Sequence, residues 1–244
     1  MKSVLITGAN RGLGLGMVKY LSEQNKVQKI IATCRTTSEE LKTLSESNKN
    51  LTILHLDVTN TSNFGNLTDQ IAKLVGENGL NLLINNAGVT TKFTKLNLVK
   101  TEQLIDNLTV NTVAPIMLTK SLLPLLKQAA ETNNNKPMGV QRAAVINMSS
   151  ILGSITQNDQ GGFYPYRCSK AALNAATKSM SIDLKKDNIL VACMHPGWVR
   201  TDMGGKNAPL DVNTSVEGIF KTIDKLGEGD TGKFLQYDGT ELPW

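Results

Sequence analysis

Seven short apolar runs punctuate the chain: "SVLIT" at 3–7, "KIIATC" at 29–34, "LTILHL" at 51–56, "LNLLIN" at 80–85, "AAVINMS" at 143–149, "ILVACMH" at 189–195 and "KFLQY" at 233–237. Apolar at successive positions rather than alternate ones, they predict strands covered on both faces. Between them, apolar residues recur at helical spacing, as at Leu13, Val18 and Leu21, at Ile71, Leu74 and Val75, at Leu104 and Leu108, and at Leu118, Leu122 and Leu125. Strands alternating with helices predict an α/β fold, a doubly wound parallel sheet of about seven strands with helices on both faces. No linker or composition shift divides the 244 residues, so one domain, 1–244, is expected. The polar stretch "ETNNNKPMG" at 131–139 reads as a surface loop ahead of the fifth strand.

Charge and cysteines then remove several classes of function. The net charge of +5 is spread among acids, aromatics are 5% of the residues, and no basic run is interleaved with them, so neither nucleic acid nor a membrane surface is indicated. The opening residues are too short an apolar run for a signal sequence, and no stretch approaches the ~18 apolar residues of a membrane span. Cys34, Cys168 and Cys193 lie far apart with no metal-ligand spacing, which suits a reducing, cytoplasmic compartment and no metal. His55 lies inside a strand, and His195, at a strand end, reads as packed and hydrogen-bonded.

The first candidate chemistry is "TGANRGLG" at 7–14, in the turn from first strand to first helix. Ligands of open α/β sheets bind beyond the carboxyl ends of the strands, where strand order reverses, and this turn is at that place. Gly8 permits a sharp turn, Gly12 a close backbone approach to a pyrophosphate, and Gly14 tight helix–sheet packing. The end of the second strand decides which dinucleotide fits: an acid there would bind the ribose 2′-hydroxyl, an arginine a 2′-phosphate. Arg35 stands there with no acid beside it, and Arg11 is available as a second cation, so NADPH is favoured over NADH. The alternative for Arg35 is a solvated residue opening the helix that holds Glu39 and Glu40.

The second is Tyr166-x-x-x-Lys170, whose i, i+4 spacing puts phenol and ammonium on one helix face. Pro165 suits the first helical position, leaving Tyr166 in the first turn, where the ammonium and the helix dipole are expected to lower its pKa toward neutrality. Tyr164 lacks such a partner, because position 168 is Cys. Ser149 and Ser150 end the fifth strand at the same sheet edge, and one of the pair is expected to serve turn or cap chemistry.

In order and spacing these pieces, with "NNAG" at 85–88, Asn111 on a long helix over roughly 101–131 and "PGWVRT" at 196–201, resemble the short-chain dehydrogenase/reductases along essentially the whole chain. "NMSSILGSI", "GGFYPYRCSKAALNAATKS" and "HPGWVRTDMGG" are similar to the branch of sniffer-like and C-factor-like carbonyl reductases. The resemblance implies a single-domain Rossmann fold and NADPH-dependent reduction of aldehydes, ketones or quinones, with a role in protection against oxidative stress. Ser150 would hold the substrate oxygen, Tyr166 protonate it, Lys170 hold the nicotinamide ribose and lower the tyrosine pKa, and Asn111 anchor a proton-relaying water.

Cofactor contacts are implied for Gly8, Asn10, Arg11, Gly12, Leu13 and Gly14 in the first turn, and for Arg35. Asp57 and Val58 would meet the adenine, although Asp57 also reads as a turn or cap aspartate. Asn86, Ala87 and Gly88 would floor the site, and Pro196, Gly197, Val199 and Thr201 would line the carboxamide and pyrophosphate. Residues 203–213 could form a lid, and "TQNDQGG" would reshape the substrate wall. A homodimer through the long helix and the Tyr166 helix is the expected assembly. Two other functions fit the same residues: a reductase dedicated to a steroid or acyl substrate, and a non-catalytic NADPH-binding signalling protein. Arg35→Asp should move the ratio of kcat/KM for NADPH and NADH toward NADH, and an unchanged ratio would refute the role given to Arg35.

Overall fold

A computed structural model describes all residues, 1–244. Seven strands, β1 (Ser3–Thr7), β2 (Lys29–Cys34), β3 (Leu51–His55), β4 (Leu82–Asn85), β5 (Ala144–Met148), β6 (Leu190–His195) and β7 (Phe234–Gln236), form one sheet ordered β3-β2-β1-β4-β5-β6-β7. All six pairings are parallel, so every strand ends at the same edge. The helices are α1 (Gly12–Gln24), α2 (Glu39–Ser47), α3 (Phe64–Val75), α4 (Thr101–Leu108), α5 (Ala114–Thr132), α6 (Tyr164–Asp183) and α7 (Val212–Ile223).

The unbroken apolar runs are explained by the two cores they serve. Along β1, Val4 and Ile6 join a cluster with Met17 and Val18 of α1 and Phe220 of α7, whereas Leu5 joins Leu67 and Ile71 of α3 and Leu122 of α5 on the opposite face. A strand with helices on both sides has no polar face to present. The expected loop at 131–139 is shorter on its inner side, since α5 runs to Thr132 and Met138 is buried in the first cluster.

Two helical expectations change. Thr101–Thr132 is one run long and apolar enough to cross a membrane by length and composition, contrary to the sequence reading. Its apolar side is spent in the core instead, through Leu118, Leu122, Leu125 and Leu126. That run is also not uniformly α: residues Thr109–Val113 form a π-turn, with Asn111 at its middle. Leu122 is fully enclosed, so Leu122→Ala should cost about 2–5 kcal/mol of stability, read as a lower denaturant midpoint at unchanged slope.

Candidate active site

At the carboxyl edge, where strand order reverses between β1 and β4, a cleft of about 240 Å³ opens. One wall is the glycine turn. Gly8 (φ 67°) and Gly12 (φ 54°) adopt the left-handed conformation, and a Cβ on Gly14 would lie 2.2 Å from the Gly8 carbonyl oxygen, so helix and turn touch backbone to backbone. The start of α1 carries neither a side-chain cap nor an acid in its first turn. Its free N–H groups therefore offer an anion site. The turn is stitched to the floor: Thr7 Oγ1 accepts from the Asn86 and Ala87 N–H groups (3.0 and 2.9 Å), and Asn86 Nδ2 donates to the Thr7 carbonyl (2.8 Å).

Arg35, just past β2, is exposed on the cleft wall with no carboxylate partner, beside Leu56, Asp57 and Val58. A free guanidinium there suits a 2′-phosphate. Arg11 is differently placed, its Nη1 donating to Asp202 Oδ2 at 2.8 Å across the cleft mouth. Asp57 accepts from the Thr59 N–H (2.9 Å) and hydroxyl (2.8 Å), which holds its carboxyl below the usual range and makes it a turn aspartate as well as a lining residue.

The opposite end carries the candidate acid. α6 begins at Tyr164, so Pro165 is its second residue rather than its first, and Tyr166 remains in the first turn. Lys170, one turn on, is buried and donates to the Met148 carbonyl at 2.7 Å. Both line the cleft. Of the two serines, Ser149 gives its hydroxyl to Asn174 Oδ1 (2.6 Å), while Ser150 accepts from the Leu152 N–H (3.2 Å) and lies beside the Tyr166 phenol. Gly153 completes this turn, because a Cβ there would sit 2.9 Å from the Lys170 Cβ.

Asn111 acts from behind. Fully buried, it accepts from the Val89 N–H (2.9 Å) and donates to the Val89 carbonyl (2.8 Å) and to Ser169 Oγ (2.9 Å). The π-turn thereby ties the loop after β4 to α6, and π-turns of this kind are frequent at functional sites.

Electrostatics corrects one expectation. Burial pushes the Tyr166 phenol up to about 12, against a smaller downward pull from Ser150, rather than toward neutrality. The ammonium lies 5.7 Å from the ring centroid and is committed to Met148, so desolvation outweighs it. The same burial brings Lys170 down to about 8. His195 is buried and held neutral, at about 4, chiefly by desolvation. Its Nδ1 has no hydrogen-bond partner, so the packed half of its sequence reading holds and the hydrogen-bonded half does not.

A family model for the short chain dehydrogenases matches residues 2–210. The chain belongs to that family. Among relatives of this short chain dehydrogenase, the C-signal protein of Myxococcus xanthus is 41% identical over 165 residues, covering 68% of this chain and 93% of its own. The solved carbonyl reductase Sniffer of D. melanogaster superposes with a TM-score of 0.98 at 51% identity, each chain covered completely. A carbonyl reductase from chicken fatty liver, solved with NADPH bound, superposes at 0.93 with 36% identity, over 100% of this chain and 99% of its own.

Within this dehydrogenase, Gly8, Asn10, Arg11, Gly12, Leu13 and Gly14 line the cleft, as do Arg35, Asp57 and Val58. So do Asn86, Ala87, Gly88, Tyr166, Lys170, Pro196 and Thr201. Four singled-out residues are not part of this lining: Asn111, Ser150, Gly197 (φ 82°, against Leu210) and Val199, which bridges to Leu210; of the two serines Ser149 lines the cleft, while Ser150 reaches it only beside the Tyr166 phenol. The expected lid at 203–213 is shortened by α7, which starts at Val212 after an Asp211 cap. Sequence reasoning missed Asp202 as the partner of Arg11, Met148 as that of Lys170, and Ser169 as that of Asn111. Each is a contact across many residues that carries no local pattern.

Lys170 and its surroundings yield a pH test. Below about pH 8 the lysine is charged in both folded and unfolded chains and folding carries the whole desolvation cost. Between about 8 and the ordinary 10.5 only the unfolded chain holds the proton, so the wild type gains stability as pH rises. Lys170→Met should therefore unfold at a higher temperature than wild type at pH 7, with the gap closing toward pH 10. A gap independent of pH would contradict the burial cost.

Proposed function

We propose that the protein is an NADPH-dependent carbonyl reductase, converting aldehydes, ketones or quinones to alcohols. The observation that carries this reading is the meeting of Tyr166 and Lys170 with an anion-ready glycine turn and an unpaired Arg35 in one cleft. The names of the Drosophila and chicken neighbours support it.

Gly8 to Gly14 and the start of α1 would hold the pyrophosphate, and Arg35 the 2′-phosphate. When bound, NADPH supplies the hydride that reduces the carbonyl carbon. Tyr166 supplies the proton: with its pKa at about 12 the phenol is protonated at neutral pH, the form a general acid requires. Ser150, beside the phenol, holds the substrate oxygen. Giving that proton to the substrate oxygen would complete the alcohol and leave Tyr166 as a phenolate. A water held near Asn111 then returns a proton to that phenolate, and Lys170, charged at pH 7 and lining the cleft, would hold the nicotinamide ribose.

NADPH oxidation followed against a panel of carbonyls decides the matter. Wild type should turn over at least one, and Tyr166→Phe should lose roughly 100-fold or more while still binding NADPH. Binding without turnover in wild type would favour a signalling role, and full activity in Tyr166→Phe would remove the acid from the mechanism.

A further inference from the structure

Three consecutive residues before the catalytic helix, Gly161 (φ 63°), Gly162 (φ 65°) and Phe163 (φ 49°), are all left-handed. Glycine takes this conformation freely, but a phenylalanine does not, and a bulky residue there persists only where its surroundings hold it. Phe163 is also the residue from which α6 springs: its carbonyl accepts the Arg167 N–H at 2.9 Å, and no side-chain cap fixes the helix start. Tyr166 follows three positions later. The conformation of Phe163 thus sets where the phenol begins.

What holds Phe163 comes from another part of the chain. Phe93, in the loop between β4 and α4, meets the Phe163 ring edge-on, with centroids 5.1 Å apart and planes at 83°. The same ring lies over Gly162 so closely that a Cβ there would fall 2.2 Å from Phe93 Cε2. Gly162 is required on both counts, for its φ and for the seat it leaves the ring. The loop that carries Phe93 is anchored at its other end by Asn111, which binds Val89 through both backbone groups. From Asn111 through Val89 and Phe93 to Phe163, one loop spans the floor of the site and the start of α6.

We propose that Phe93 is a positioning residue: seated on Gly162 and against Phe163, it clamps the left-handed turn that sets Tyr166. This rests on the catalytic reading of Tyr166. Neither Phe93 nor Phe163 lines the dinucleotide cleft, so the clamp acts on the proton donor and leaves cofactor binding alone. A glycine at 163 would adopt the left-handed conformation without a clamp, so it should relieve the need for Phe93.

Two measurements test this on the full-length protein. In hydrogen exchange, Phe93→Ala and Gly162→Ala should each speed amide exchange over residues 160–168, and unchanged exchange there overturns the clamp. This arm needs no substrate, so it decides the clamp even if wild type reduces no carbonyl, a result that would count against the catalytic reading alone. In steady-state kinetics with NADPH, Phe93→Ala should lower kcat roughly 10-fold or more with the NADPH Kd unchanged, and adding Phe163→Gly should restore most of the loss. A kcat unaffected by Phe93→Ala, a parallel loss of NADPH affinity, or a further fall in the double variant would each overturn the proposal.

Discussion

Thr7 Oγ1 takes two backbone N–H groups at once, from Asn86 and Ala87, and Asn86 returns its side-chain amide to the Thr7 carbonyl. This seam joins the last residue of β1 to the residues just beyond β4, the two strands between which the order of the sheet reverses. The chain leaves β1 for the layer of α1 and leaves β4 for the layer of α5, so a crevice must open between them. The seam sets its width. It brings the Gly8 turn within van der Waals reach of Ala87, and the glycine wall and the floor become one rigid surface.

The same edge holds its polar groups at a cost. Asn85 and Asn147 bond to each other across β4 and β5 (2.8 Å), and Asn147 donates on to Thr177 of α6 (2.8 Å), a buried ladder from the sheet to that helix. Satisfied networks of this kind rigidify a core that an apolar side chain would stabilise more cheaply. Lys170, on the same helix, has one protein acceptor, Met148, and lowered basicity. Burial that destabilises the fold at this position also raises the phenol's hold on its proton, the property the proposed proton donor would use.

Most of the architecture was legible in the chain because unbroken apolar runs and helical patterns are local. All seven apolar runs became strands, with ends moved by a residue or two. The glycine turn and Tyr166-x-x-x-Lys170 were legible for the same reason, since a tight turn and a helix face are each contained in a few residues. The phenol's pKa was not, because it depends on how much water the surroundings exclude, and the i, i+4 ammonium that suggested a low value is turned toward Met148. Nor was the π-turn at Asn111, whose extra residue per turn answers to Val89 and Ser169 rather than to its neighbours in sequence.

By itself the sequence determined the alternation of strand and helix, the glycine cradle, the cation at Arg35 and the shared helix face of Tyr166 and Lys170. These follow from backbone sterics and side-chain periodicity, which act over a few residues. Only the tertiary structure decided that Arg11 faces Asp202, that Ser149 serves Asn174 while Ser150 stays beside the phenol, and that Phe93 sits on Gly162. Those assignments join residues 25 to 191 positions apart or compete for one cleft, and desolvation and packing settle them after the layers have closed.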